Sequence, residues 1–273
     1  MHITTDIISE VTAKIQKMPK YKDIEIPNET IKSLIQQAYP ISKNKADLEK
    51  RIREKIHNIT ALYLGDIDYK KAIDEFNQAK GNPGALREFS MKKLNFHAST
   101  KERDQDLTDM YKQLFSRIGE CKTIADLACG LHPLGLPFMG LPQNTGYYAY
   151  DLNKARVDFL NIYITAQGYS GGCFHQDILT NPPAIHFDVA FFFKEAHRFE
   201  KRQPGVMGAF LDSVSASKIV VSLPLQSLKT SSELSPKYES NLREYAAKRG
   251  CLFDNFTHGN EIFYIITYDK AHC

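Results

Sequence analysis

After about residue 100 the chain alternates short apolar runs with turns and helical stretches, and this rhythm constrains the fold more than any other feature. Residues 123–127 are the first strand candidate, 147–150 the second, 172–175 a weaker third, 189–193 the fourth and 218–223 the fifth. Strands joined through helical segments need crossovers, which place helices on both faces of a parallel sheet. The last two candidates, 252–257 and 261–268, are separated only by His258-Gly259-Asn260, so they predict an antiparallel hairpin. The expected fold class is therefore α/β, with a mostly parallel sheet that ends in an antiparallel C-terminal hairpin.

The first part of the chain has a different period. Ile31, Leu34, Ile35 and Ala38 follow the i, i+3, i+4, i+7 spacing of a buried helix face, and Pro40 stops that helix. Leu48, Ile52, Ile56 and Ile59 form the stripe of a second helix, with Lys50, Arg53 and His57 on another face. Gly81-Asn82-Pro83-Gly84 predicts a loop. Residues 109–118 predict one more helix, which leads into the sheet. The expected organisation is a small helical bundle over residues 1–95 followed by the sheet domain over 96–273, which 273 residues accommodate.

Composition excludes several classes. The longest apolar run spans 189–193, far short of a membrane span, and no basic-then-apolar leader opens the chain, so a cytoplasmic protein without a membrane partner is expected. The five cysteines form no C-x-x-C pair and are odd in number. That fits a reducing compartment and argues against a disulfide framework or a zinc site; no bound metal is expected. Residues 1–60 hold 11 Lys/Arg and 8 Asp/Glu, a balance equal to the +3 of the whole chain, so the modest basic excess lies at the front.

The sharpest local motif is Asp126-Leu127-Ala128-Cys129-Gly130-Leu131-His132-Pro133, directly after the first strand. A small residue and a glycine at a strand end let backbone approach a ligand closely. Cys129 is expected to be a small packing residue there. Twenty-one residues after Gly130, just past the second strand, stands Asp151, placed to accept hydrogen bonds from ribose hydroxyls. Asp177 follows the third strand, where an acid commonly takes an adenine amino group. The loop has neither the G-x-G-x-x-G of a dinucleotide binder nor the GK[ST] of a phosphate loop. A nucleotide-type cofactor without phosphate, S-adenosyl-L-methionine, satisfies all of these features.

With these motifs in place the chain resembles the 16S rRNA (guanine(1405)-N(7))-methyltransferases that confer aminoglycoside resistance. The resemblance spans nearly the whole chain. His97-Ala98-Ser99-Thr100-Lys101-Glu102-Arg103 is similar to a signature preceding the cofactor domain. Residues 126–133 resemble D-I-A-C-G-L-N-P, with His132 in place of the asparagine. Phe193-Lys194 with Glu200-Lys201-Arg202-Gln203 resembles F-K-L-L and a downstream E-R-Q. Val221-Ser222-Leu223-Pro224, Ser227-Leu228 and Gly259-Asn260-Glu261 resemble V-S-F-P, S-L and the closing G-N-E. Lys20-Tyr21 and Arg53-x-Lys55-x-His57 fit at the front.

The resemblance implies a class I, Rossmann-like methyltransferase fold and a set of roles. Arg103 would contact the cofactor's carboxylate end, Ala128 and Gly130 would line its loop, Asp151 would hold the ribose, and Asp177 with Ile178 the adenine. Lys194 would sit beside the methionine moiety or the target base, and Gln203, or Arg202 by a one-residue shift, would complete the site. Lys20, Arg53, Lys55 and His57 would contact rRNA in the 30S subunit, with the enzyme a monomer. Guanine N7 has a free lone pair, so alignment rather than a general base would carry catalysis. The base must be flipped out, and Tyr111, Tyr147 and Phe138 are candidates to stack on it. Two segments depart from the family pattern: residues 229–237, where a Gly/Arg-rich stretch is usual, and the polar Glu195-Ala196-His197-Arg198. Another RNA site, a small-molecule substrate and a non-catalytic rRNA-binding protein are the alternatives.

Overall fold

The computed structural model describes residues 5–17, 25–60, 66–96, 106–225 and 235–268. Lys20, Arg103, the rest of the 97–103 signature and most of the 229–237 segment lie outside these residues.

Three helices open the chain: α1 (Thr5–Gln16), α2 (Asn28–Ala38) and α3 (Lys45–Thr60). Their apolar stripes meet in a core of their own that includes Val11, Ile15, Ile31, Leu34, Ile35, Leu48, Ile52 and Ile56. The chain turns out of α2 through a 3-10 turn at Tyr39–Ile41, because Pro40 has no N–H to continue the helix. Helices α4 (Tyr69–Ala79) and α5 (Pro83–Leu94) follow. The run 81–84 is a loop only in its first half. Asn82 accepts the amides of Gly84 and Ala85, and Pro83 takes the first helical position, so the helix begins inside the predicted loop. Although they belong to the helical front in sequence, α4 and α5 share the core of the sheet: Ala72, Phe76, Phe89 and Leu94 pack in one cluster with Tyr163 and Phe191.

Helix α6 (Leu107–Ile118), capped by Asp106, leads to β1 (Thr123–Leu127). After a 3-10 turn and the short α7 (Leu136–Met139) come β2 (Gly146–Asp151), α8 (Lys154–Ala166), β3 (Ser170–His175) and β4 (Phe187–Phe193). The chain continues through α9 (Ala196–Arg202), α10 (Met207–Ser213), β5 (Ala216–Pro224), α11 (Ser235–Lys248), β6 (Leu252–His258) and β7 (Glu261–Thr267). The seven strands stand in the order β3-β2-β1-β4-β5-β7-β6. Strands β1 to β5 pair in parallel, and β7 joins β5 and β6 antiparallel.

Alternation along the strands divides the sheet's core in two. Ile124, Tyr147, Phe191 and Val220 face α4 to α8, whereas Ala125, Phe192, Val221 and Tyr264 face α9 to α11. Strand β3 was faint in sequence because two glycines occupy it. Gly171 is required there: with φ of 100°, a Cβ would lie 2.3 Å from the Tyr147 carbonyl oxygen.

Candidate active site

The sheet reverses its strand order at β1, and ligands in open α/β sheets bind outside the carboxyl ends of strands at such a point. The chain leaves β1 through Ala128 and Gly130, both at positive φ (52° and 55°). For a residue with a Cβ this conformation costs about 1–2 kcal/mol, so packing and hydrogen bonds must hold Ala128 in place. A Cβ at Gly130 would meet nothing within 4 Å. The loop therefore opens onto free space, and its glycine serves the backbone turn. Cys129 N–H donates to the Tyr150 carbonyl and Gly130 N–H to Asp151 Oδ2, each at 2.9 Å, which ties the loop to the end of β2. Cys129 itself is buried, and burial pushes its thiol well up, as suits a packing residue.

Beneath the loop lies a closed polar cluster. His132 Nδ1 is 2.8 Å from Asp126 Oδ2, its Nε2 is 2.8 Å from the Tyr111 hydroxyl, and the Tyr147 hydroxyl donates to the same Asp126 oxygen at 2.6 Å. All four residues are buried. The histidine that replaces the expected asparagine thus links β1 to α6. This cluster also corrects the stacking candidates. Tyr111 and Tyr147 are 1% and 0% exposed with their hydroxyls engaged, so neither ring can receive a flipped base. Phe138 is buried under the Arg87 guanidinium, 4.4 Å from its ring centroid.

Asp151 ends β2 and is buried. Besides Gly130 it accepts Arg156 Nη1 (3.0 Å) on Oδ2 and Asn153 N–H (2.8 Å) on Oδ1. Arg156 extends the network to Asp66 Oδ2 at 2.6 Å and the Tyr69 hydroxyl at 3.0 Å. Asp177, 1% exposed, takes Thr30 Oγ1 of α2 at 2.8 Å, Leu179 N–H at 3.2 Å and both Nη atoms of Arg202. Ile178 beside it is buried in the core of the α9–α11 face.

Lys194 follows β4 at φ of 58°, the second non-glycine residue, after Ala128, held in this strained region at a strand end. Its amide donates to the Ser222 carbonyl (3.0 Å) and hydroxyl (3.2 Å), and its Nζ lies 3.3 Å from Glu261 Oε2. Three separate motifs, Phe193-Lys194, Val221-Ser222-Leu223-Pro224 and Gly259-Asn260-Glu261, therefore converge on one lysine. Next to it, burial pushes the Glu195 carboxyl up to about 7 against the pull of Arg198, with Asp151 raising it further.

Gln203 caps the end of α9 and is exposed. Its Oε1 accepts Gln37 Nε2 of α2 at 3.3 Å, and Gln37 Oε1 lies 3.4 Å from Lys55 Nζ of α3. Of the two neighbours considered for completing the site, Arg202 is the one that reaches Asp177, and its Nε is buried without a hydrogen bond among the described residues. Arg53 is exposed on α3, while Lys55 and His57 are half-buried. Thr30, Asp66 and Arg156 were not legible in sequence as parts of this site. Arg156 had a weak local signal, a cation in the first turn after Asp151. Thr30 and Asp66 had none, because only the tertiary fold brings them to the carboxylates.

A parallel sheet reversing at its first strand, a glycine turn there, acidic residues at the end of the second strand and after the third, and a closing antiparallel hairpin define a class I methyltransferase. More narrowly, residues 18–265 match the family model described as "Ribosomal RNA methyltransferase (FmrO)", and the chain belongs to that family. It is 28% identical over 267 residues to a 16S rRNA (guanine(1405)-N(7))-methyltransferase of Micromonospora rosea, covering 96% of this chain and 97% of that one. It is 29% identical over 245 residues to the enzyme of the same name from Frankia casuarinae, covering 87% and 86%. The structure of the 16S rRNA methylase RmtB has the same fold, with a TM-score of 0.77, 23% identity and coverage of 96% and 98%. The cofactor of this methyltransferase is S-adenosyl-L-methionine. The site suits it: an open turn at Gly130 without a phosphate cradle, and buried carboxylates for hydroxyl and amino donors.

Proposed function

We propose that this chain methylates N7 of guanine 1405 in 16S rRNA, acting on the assembled 30S subunit, and thereby confers aminoglycoside resistance. The observation that carries this reading is the hydrogen-bonded path from Lys55 through Gln37 to Gln203, which joins the basic helix α3 to the rim of the cofactor site. The names of the full-length relatives support the same substrate.

In this reading residues 1–95 form the rRNA-binding front and 96–273 the methyltransferase domain. Lys20, Arg53, Lys55 and His57 neutralise phosphates, and the shape of the subunit selects the site. Ala128 and Gly130 line the cofactor. Asp151 takes the ribose, Asp177 and Ile178 the adenine, and Arg103 the carboxylate as a guanidinium fork. The bound cofactor supplies a methyl group on a sulfonium. Lys194 and Gln203 stand at the methionine end and fix the geometry between that methyl and the base. Guanine N7 already has a lone pair, so no residue has to remove a proton, and the protein's contribution is alignment and exclusion of water. The enzyme works as a monomer in the cytoplasm; among the described residues no helix is long and apolar enough to cross a membrane.

The test is expression of the chain in susceptible bacteria, with a mass-spectrometric and primer-extension map of their 16S rRNA. High resistance to 4,6-linked aminoglycosides with a new N7-methylguanine at 1405 is the expected result. A methyl mark elsewhere, or none, overturns the assignment.

A further inference from the structure

Asp177 differs from Asp151 in how completely the protein itself satisfies it. A carboxylate has about four acceptor positions. On Asp177, Oδ1 takes Leu179 N–H (3.2 Å) and Arg202 Nη1 (2.9 Å), while Oδ2 takes the Thr30 hydroxyl (2.8 Å) and Arg202 Nη2. All four are filled, and the group is 1% exposed. Asp151 has three donors, Gly130, Arg156 and Asn153, and so keeps one position without a donor among the described residues. A ribose hydroxyl can add to Asp151 directly. An adenine amino group can add to Asp177 only by displacing a donor already there.

The donors differ in how firmly they hold. Leu179 is two residues away on the same turn and cannot leave without unfolding it. Arg202 makes two charge-assisted bonds, the stronger kind. Thr30 makes one bond from a neutral hydroxyl, and it reaches Asp177 from α2, an element with its own core. We propose that Thr30 is the competitor for the adenine end of the cofactor: its hydroxyl occupies the acceptor position that the adenine amino group takes, so cofactor binding exchanges one donor for the other. This deepens the reading that Asp177 receives adenine and rests on it. The consequence reaches the substrate face. The exchange frees α2 from the sheet domain at this point, leaving the Gln37–Gln203 contact as a second tie. By linkage, whatever draws α2 and α3 onto RNA and away from Asp177 favours the cofactor by the same factor.

Calorimetric titration of the full chain with S-adenosylhomocysteine, and with its analogue lacking the 6-amino group, tests this. Thr30→Val keeps the shape and removes the donor. It is expected to bind S-adenosylhomocysteine about tenfold more tightly than wild type, the scale of one hydrogen bond to a charged group. Thr30→Ser, which restores the donor, binds as wild type does, and neither substitution changes affinity for the deamino analogue. Thr30→Ala carries the same expectation should the valine variant not fold. Unchanged or weaker binding by both donor-less variants, or equal tightening for the deamino analogue, overturns the proposal while leaving the adenine site intact. A wild-type chain that binds neither compound overturns the adenine assignment and the proposal with it.

Discussion

Lys194 and Glu261 meet at 3.3 Å, both buried, although one follows the fourth strand and the other begins the last. The lysine is held from two directions: its amide by Ser222 and its strained φ of 58° by the strand end. Glu261 pairs with Pro224 across the β5–β7 ladder, so the antiparallel hairpin delivers the carboxylate to the edge of the active site. A double-mutant cycle with Lys194→Met and Glu261→Gln is expected to give a coupling of about 1–3 kcal/mol in urea unfolding. It should also show that Glu261→Gln lowers methyl transfer, through its hold on Lys194. Additive effects on stability, with activity intact, would remove Glu261 as the group that positions Lys194.

Asp151 combines two duties that a single substitution separates. It closes the buried chain Asp66–Arg156–Asp151, and in the proposed reading its remaining acceptor position is the one the ribose takes. Asp151→Ala is expected to weaken S-adenosylhomocysteine binding about a hundredfold or more, from the loss of hydrogen bonds to a charged acceptor. Asp66→Asn, which leaves Asp151 and its bond to Arg156 in place, should weaken it by less than about tenfold. Calorimetry on both variants decides: wild-type affinity in Asp151→Ala removes the ribose assignment.

How much of this was visible beforehand depended on how far apart the interacting residues lie in sequence. Strands β1, β2, β4 and β5 announced themselves as apolar runs, because strands covered on both faces carry little polar alternation. The turn at Gly130 and the acids at 151 and 177 were legible because each follows a strand. What surrounds those acids was not. Thr30 and Asp177 are 147 residues apart, and no spacing rule connects them. The burial of Tyr111 and Tyr147 was equally hidden. An aromatic next to a cofactor motif looks like a stacking platform until the His132–Asp126 pair is seen to occupy its hydroxyl.

Arg53 is exposed on α3. Charge reversal there, Arg53→Glu, is expected to weaken binding to isolated 30S subunits severalfold. It should also reduce the slope of log affinity against log salt by about 1, as loss of one phosphate contact does. Cofactor affinity should stay within twofold of wild type. Sedimentation of enzyme with subunits over a salt series measures both quantities, and an unchanged slope would take Arg53 out of the RNA interface.

Glu195 and His197, two residues apart beside Lys194, are shifted so that their effects on stability oppose each other. Burial raises Glu195 to about 7, so between about pH 4.5 and 7 the folded chain binds a proton there that the unfolded chain has lost, and stability falls as pH rises. Burial, helped by Arg198 and Lys201, lowers His197 to about 4, so between about pH 4 and 6.5 the unfolded chain binds the extra proton, and stability climbs as pH rises. Each shift corresponds to about 3–4 kcal/mol at most, less what solvent screening removes. In the wild-type protein the two slopes largely cancel from pH 4.5 to 6.5. Glu195→Gln should uncover the histidine, giving a chain that gains stability steeply up to pH 6.5. His197→Asn should uncover the glutamate, giving one that loses stability up to pH 7. Urea midpoints measured from pH 4.5 to 8 read both slopes. Curves for the two variants that run parallel would show that neither group titrates in its buried setting, and would leave the polar segment after Lys194 without a part in the enzyme's pH response.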